Sequence, residues 1–221
     1  MFQIKICGIT SPKDAQWAAL AGADAIGLNF YEKSKRFISP EAAESIVKVV
    51  PERVSKVGLF VNSPVTEIRQ IADRLGLDSV QLHGDEPPED IAALGNRVVL
   101  RAFRCTGNGF AHIGEYLESC RATSCLPSAL LLDAHITGQY GGTGQVADWD
   151  LLSGSHAMFA ELPLVLAGGL TPFNVSEAIA AVRPNAVDSA TGVESAPGKK
   201  DLMMLRAFVT ASKKAFAALD S

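Results

Sequence analysis

The sequence predicts an α/β protein folded as one closed, parallel, eight-stranded (β/α)8 barrel, the TIM-barrel architecture. Short apolar runs alternate with amphipathic stretches about eight times along the 221 residues, the pattern of repeated strand-helix units. No composition shift or linker divides the series, so a single domain over 1–221 is expected. A closed barrel also leaves no strand edge exposed, whereas the alternative, a doubly wound open sheet of this many units, leaves two.

The first unit is Lys5-Ile6-Cys7-Gly8-Ile9-Thr10. A strand through Gln3 to Cys7 sends Gln3, Lys5 and Cys7 to one face and Phe2, Ile4 and Ile6 to the other, and Gly8 ends it. The apolar face suits packing against helices, and the face with an amine and a thiol suits the inside of a closed sheet, with Cys7 at its rim. An ordinary buried thiol is the plainer reading of Cys7. Ser11-Pro12 then opens a helix, Ser as N-cap and Pro in the first turn, and Gly22 stops it. Ala25 to Asn29 reads as the second strand, Phe30 to Ile38 as a basic, aromatic loop, and Ser39-Pro40 repeats the helix-opening signal. Further strands are expected at Ser55 to Val61, Ser79 to His83, Arg97 to Phe103, Ala129 to Asp133, Pro163 to Ala167 and Ala186 to Asp188. Helices are expected at Pro64 to Leu75, Pro88 to Leu94, Ile113 to Thr123, from Asp148-Trp149, at Asn174 to Val182 and at Asp201 to Leu219.

Composition narrows the function classes. Hydrophobic residues make up 48% and charged residues 20%, which excludes the disordered class. A net charge of -4 offers no broad basic field for nucleic acid or an anionic membrane, so anionic small molecules must be met by a few placed donors. Cys7, Cys105, Cys120 and Cys125 show no CxxC spacing, so neither a zinc site nor a redox dithiol is expected. With no leader-like segment and no long apolar run, the expected location is cytoplasmic.

In such a barrel the ligand site lies at the C-terminal ends of the strands. The polar residues expected there are Cys7, Asn29, Gln81 with His83, Arg101, Asp133, Gly168-Gly169 and Asp188. Leu130-Leu131-Leu132-Asp133 ends an apolar strand in a carboxylate, a candidate proton donor if desolvation favours its neutral form and otherwise a loop cap. The glycine-rich loop Gln139 to Gly144 behind it could close over a ligand. Gly168-Gly169-Leu170-Thr171-Pro172 and Asp188-Ser189-Ala190-Thr191-Gly192-Val193-Glu194 follow the last two strands, where barrel enzymes often hold phosphate; tight turns alone are the alternative. Neither turn has the spacing of a nucleotide-binding loop. Gln81 and His83 share an inward face, where a single His reads as a hydrogen-bonded structural residue or as a catalyst. Arg36, after Lys33 and Lys35, either clamps a carboxylate with its fork or is solvated, and Pro197-Gly198-Lys199-Lys200-Asp201 carries the same ambiguity.

Eight motifs in order then show a resemblance: KICGIT at 5–10, GADAIGLNFYEKSKRFISP at 22–40, VGLFVN at 57–62, VQLHGDE at 80–86, LLLD at 130–133, YGGTG at 140–144, LAGGLTPFNV at 166–175 and GVESAPGKKD at 192–201. Together they resemble the phosphoribosylanthranilate isomerase family. The resemblance implies an Amadori rearrangement in tryptophan synthesis, from N-(5-phosphoribosyl)anthranilate to 1-(2-carboxyphenylamino)-1-deoxyribulose 5-phosphate. It implies Asp133 as general acid and Cys7 as general base. It further implies substrate contacts from Arg36, Gln81, His83 and Asp188, with Arg36 on the anthranilate carboxylate. Phosphate contacts are implied for Gly168, Gly169, Ser189, Ala190, Thr191 and Gly192. Neither metal nor organic cofactor is expected, and the partner is the small-molecule phosphosugar-anthranilate, with other tryptophan-pathway enzymes as further candidates.

The family commonly has Asp-Val-Ser-Ser-Gly where this chain reads Asp-Ser-Ala-Thr-Gly, so the phosphate-binding hydroxyls are expected from Ser189 or Thr191. Lys5, two residues before Cys7 on the same face, is expected to lower the thiol pKa. The histidine-pathway aminoaldose isomerases do similar chemistry with two aspartates, which the cysteine at position 7 argues against. A non-catalytic phosphosugar-binding barrel is disfavoured by the presence of both Cys7 and Asp133.

Overall fold

A computed structural model describes residues 1–105, 110–134, 152, 154–159 and 161–219. Eight parallel strands close into a barrel in sequence order: β1 (Ile4–Ile6), β2 (Ala25–Asn29), β3 (Ser55–Phe60), β4 (Ser79–Leu82), β5 (Val98–Arg104), β6 (Ala129–Asp133), β7 (Leu164–Ala167) and β8 (Ala186–Ser189). Closure comes from β8 beside β1, with Lys5 opposite Asp188. Helices alternate with the strands: α1 (Pro12–Ala21), α2 (Pro40–Val47), α3 (Val65–Leu75), α4 (Pro88–Leu94), α5 (Ala111–Ala122), α6 (Ser155–Met158), α7 (Val175–Val182) and α8 (Leu202–Leu219). None among the described residues is long and apolar enough to cross a membrane. The helix start expected at Asp148-Trp149 and the Gln139 to Gly144 loop lie outside the described residues.

The local signals act as their chemistry dictates. The Ser11 hydroxyl accepts from the Asp14 amide and the Ser39 hydroxyl from the Ala42 amide, each cap contributing about 1 kcal/mol. Strand alternation separates two apolar regions. Ile4, Ile6, Leu28, Leu82, Leu130, Leu132, Leu164 and Leu166 face the helix layer in the main core, while Leu100, Ala102, Leu131, Val165, Ala167 and Ala186 fill the barrel. Full burial of each large aliphatic side chain contributes about 1.5–3 kcal/mol.

Three expectations change. The first strand is Ile4–Ile6 rather than Gln3 to Cys7, and Phe2, expected on the outer face, packs against the barrel-filling layer at the N-terminal end. Arg101, expected at the mouth, points into the helix layer because Leu100 and Ala102 take the inward positions. There it donates to the carbonyls of Leu82 and Gly84, pairs with Glu86 at 3.2 Å and lies over the rings of Phe103 and Tyr116. A short hairpin that the sequence reading lacks follows β8: a 3-10 turn at Thr191–Val193, then β9 (Glu194–Ala196) and β10 (Lys199–Lys200).

Candidate active site

Cys7 follows β1 directly, and its amide donates to Ser189 O at 2.9 Å, which ties it to the end of β8. Below it the fully buried Lys5 Nζ pairs with Asp188 Oδ2 at 2.9 Å, while Asp188 Oδ1 has no partner among the described residues. Both Cys7 and Lys5 lie over Gly27 of β2, where a Cβ would come 2.7 Å from Cys7 Sγ and 3.1 Å from Lys5 Nζ. The missing side chain makes room for the pair.

Burial pushes the Cys7 thiol above its ordinary value, the Asp188 carboxylate pushes the same way, and Lys5 and Lys200 pull against them without prevailing. The expectation for Lys5 is therefore corrected: its charge does favour the thiolate, but burial wins and Asp188 shares the ammonium. For Lys5 itself, burial pulls the pKa down, yet Asp188 and Cys7 outweigh it and the ammonium is held more firmly than in water.

Arg36 is brought beside Cys7 by a loop that folds back on β2. Asn29 Nδ2 donates to Ser34 Oγ, Asn29 Oδ1 accepts from the Tyr31 amide, Ser34 Oγ accepts the Arg36 amide, and Ile38 N returns to Asn29 O. The aliphatic stem of Arg36 then crosses Gly8, a residue at φ 71 where any Cβ would lie 2.5 Å from Arg36 Cδ. The guanidinium is held by Glu194, with Nε to Oε1 at 2.8 Å and Nη2 to Oε2 at 2.6 Å, and Nη2 lies 3.5 Å from Thr191 Oγ1. Lys200 Nζ donates to Glu194 Oε1 and to Ala190 O, both at 2.9 Å. Burial pushes the Glu194 carboxyl up, but its bonds to Arg36 and Lys200 outweigh that and hold it below the usual carboxylate range.

Gln81 and His83 do converge. Gln81 Nε2 lies 2.8 Å from His83 Nδ1, and His83 Nε2 lies 3.5 Å from Asp133 Oδ2. Asp133 ends β6 with its side chain 22% exposed, so this chain of groups runs from the barrel interior to the mouth.

The two glycine turns dock on one another. Ser189 Oγ donates to Leu170 O at 2.7 Å, so that hydroxyl joins the two turns and its proton is committed to the carbonyl. A Cβ on Gly192 would fall 1.9 Å from Leu170 O, so only glycine permits this approach. Asn174 braces the β7 turn, accepting from the Thr171 amide and donating to Gly169 O. Thr191 and Gly192 start the 3-10 turn, where amides have no acceptor within the helix and can meet an anion. Among the described residues no group of three or more His, Cys, Asp or Glu is placed to hold a metal ion.

The sequence reading names Glu194 only as the end of the stretch after the last strand and Pro197 to Asp201 only as a basic run, and it gives neither the hairpin nor the grip of Glu194 on Arg36. Pro197-Gly198, with Gly198 at φ 75, is the turn signal that could have located the hairpin.

Comparison with known proteins identifies the family. Residues 4–211 match the family model described as N-(5'phosphoribosyl)anthranilate (PRA) isomerase. An N-(5'-phosphoribosyl)anthranilate isomerase of Geobacter metallireducens is 45% identical over 214 residues, 96% of this chain and 100% of the relative. One from Geobacter sp. strain M21 is 46% identical over 97% of this chain and 99% of its own length. The crystal structure of phosphoribosyl anthranilate isomerase from Thermotoga maritima superposes with a TM-score of 0.84 at 40% identity, covering 97% of this chain and 100% of that one. Another, in complex with reduced 1-(o-carboxyphenylamino)-1-deoxyribulose 5-phosphate, gives a TM-score of 0.80 at 38% identity over 97% of this chain and 100% of the other. The chain belongs to the N-(5'-phosphoribosyl)anthranilate isomerase family, the isomerases of tryptophan biosynthesis.

Proposed function

We propose that the chain acts as a single cytoplasmic catalytic domain over 1–221. It converts N-(5'-phosphoribosyl)anthranilate to 1-(2-carboxyphenylamino)-1-deoxyribulose 5-phosphate, with Asp133 as general acid and Cys7 as general base. The observation that carries this reading is their placement at the ends of β6 and β1, three strands apart around a ring of eight. Strands about 4.8 Å apart and tilted about 36° put these backbones roughly 14 Å from each other across the mouth. Subtracting the roughly 6 Å that the two side chains reach inward leaves roughly 8 Å, the span of a pentose with one contact on each side.

Asp133 gives its proton to the furanose ring oxygen as the ring opens, and the anthranilate nitrogen becomes a protonated imine. That cation acidifies the C2 hydrogen, so a modest base suffices, and Cys7, having first given up its own proton to solvent, takes the C2 proton as the thiolate. The enolamine then tautomerises to the ketone, by protonation at C1 and loss of the proton on O2. Atoms and electrons balance within one molecule, so the chemistry needs neither metal nor organic cofactor. The imine nitrogen also adds positive charge near a thiol whose neutral form burial favours, drawing the proton equilibrium toward thiolate when substrate is present.

The Arg36 edge that Glu194 leaves open takes the anthranilate carboxylate, and the amides of Gly168, Gly169, Ala190, Thr191 and Gly192 take the phosphate. The Gln81-His83 pair orients the acid. Asp188 acts through Lys5 on the floor of the site, and Ser189 by joining the phosphate turns. Mixing the purified protein with freshly made phosphoribosylanthranilate tests the reading: substrate fluorescence should disappear with formation of the ketose product. Binding of a product analogue without turnover would leave an anion-binding barrel and refute the enzyme assignment.

A further inference from the structure

We propose that Glu194 is a positioning residue: by gripping one edge of Arg36 it aims the other at the substrate carboxylate, and so sets selectivity for a carboxylated aromatic amine. The inference rests on the reading of Arg36 as the carboxylate partner.

Guanidinium offers five N–H donors in a rigid fork. Glu194 takes the Nε–H and one on Nη2, in bidentate geometry, with its own side chain only 3% exposed. What remains is the Nη1 side, with two donors, beside an Nη2 whose second N–H is directed at Thr191 Oγ1 at 3.5 Å, on a side chain that is 20% exposed. The carboxylate therefore determines which edge of the arginine a ligand meets.

Glu194 is held by Lys200, and the turn of its hairpin is held at Gly198. Lys200, whose side chain is fully buried, donates to Glu194 and to Ala190 O in the phosphate turn. At the far end of the hairpin, Thr10 Oγ1 donates to Gly198 O at 2.6 Å, anchoring it to the loop after β1. A Cβ on Gly198 would lie 3.4 Å from Lys35 O, so the hairpin also rests on the loop that carries Arg36. Arg36, Glu194 and Lys200 together keep a net charge of plus one, which favours an incoming anion. The hairpin thus joins the parts of the site assigned to the substrate's two ends, carboxylate and phosphate.

Calorimetric titration with two ligands tests this. One is reduced 1-(o-carboxyphenylamino)-1-deoxyribulose 5-phosphate; the other is the same compound with phenyl in place of carboxyphenyl. Glu194→Gln should weaken the first about tenfold and leave the second within about twofold, while in turnover KM rises about tenfold and kcat moves less than about threefold. In an Arg36→Met background, Glu194→Gln should add nothing. Equal weakening of both ligands, or effects that add across the two substitutions, would overturn the positioning role. If Arg36→Met alone keeps the full preference for the carboxylated ligand, the reading of Arg36 fails instead. Should Glu194→Gln not fold because Lys200 is left buried without its partner, Glu194→Gln/Lys200→Met removes both charges and carries the same expectation.

Discussion

Lys5→Met should be among the most damaging single substitutions in the barrel. The change removes an ammonium with no exposure and leaves Asp188 beside an apolar side chain, with neither carboxylate oxygen partnered. Stranding one member of a buried pair costs about 3–5 kcal/mol. Urea unfolding followed by circular dichroism at pH 7 measures this, and Lys5→Met/Asp188→Asn should recover most of the loss. A deficit below about 1 kcal/mol would refute the account of the barrel floor.

Two further outcomes are expected. Gly192→Ala drives a methyl group into Leu170 O, so it should cost about 1–3 kcal/mol and raise the inhibition constant of inorganic phosphate several-fold by prising the two turns apart; wild-type stability together with wild-type phosphate inhibition would remove the docked-turn explanation. Burial, reinforced by Asp188, raises the Cys7 thiol above the ordinary value of 9.0, so the folded protein keeps a proton that the unfolded chain loses. Stability from this group should thus fall as pH rises through the unfolded thiol range. The ultraviolet thiolate signal lost in Cys7→Ser should appear only above that range, and a Cys7 titrating below it would contradict the balance of charges.

Much of the fold was legible because strand and helix periods differ and the helix caps are local. Ser11, Ser39 and Gly22 act where their chemistry predicts, and Ala25–Asn29, Pro88–Leu94 and Ala129–Asp133 have the expected bounds. Side-chain direction was harder to read in β5. In Val98–Arg104 a polar residue flanked by apolar ones fits either face, and Arg101 turns outward because Leu100 and Ala102 fill the interior. The thiol's environment depends on partners remote in sequence: Asp188 reaches Lys5 across 183 positions, and Lys200 arrives on the hairpin. The hairpin that carries Glu194 was not legible because its strands are three and two residues long, too short to show alternation, leaving only Pro197-Gly198 to mark the turn. Arg36 was identified by its type, but the carboxylate that grips it lies 158 positions away.

The measurement that bears most directly on the catalytic claim is the rate of fluorescence loss from phosphoribosylanthranilate with wild type, Cys7→Ser and Asp133→Asn, under saturating substrate. The account predicts rapid turnover by wild type and a fall of at least about a thousandfold in each variant, with the product analogue still bound by both, since each removes a proton-transfer group and little binding. A Cys7→Ser or Asp133→Asn protein that keeps a tenth or more of the wild-type rate would contradict it.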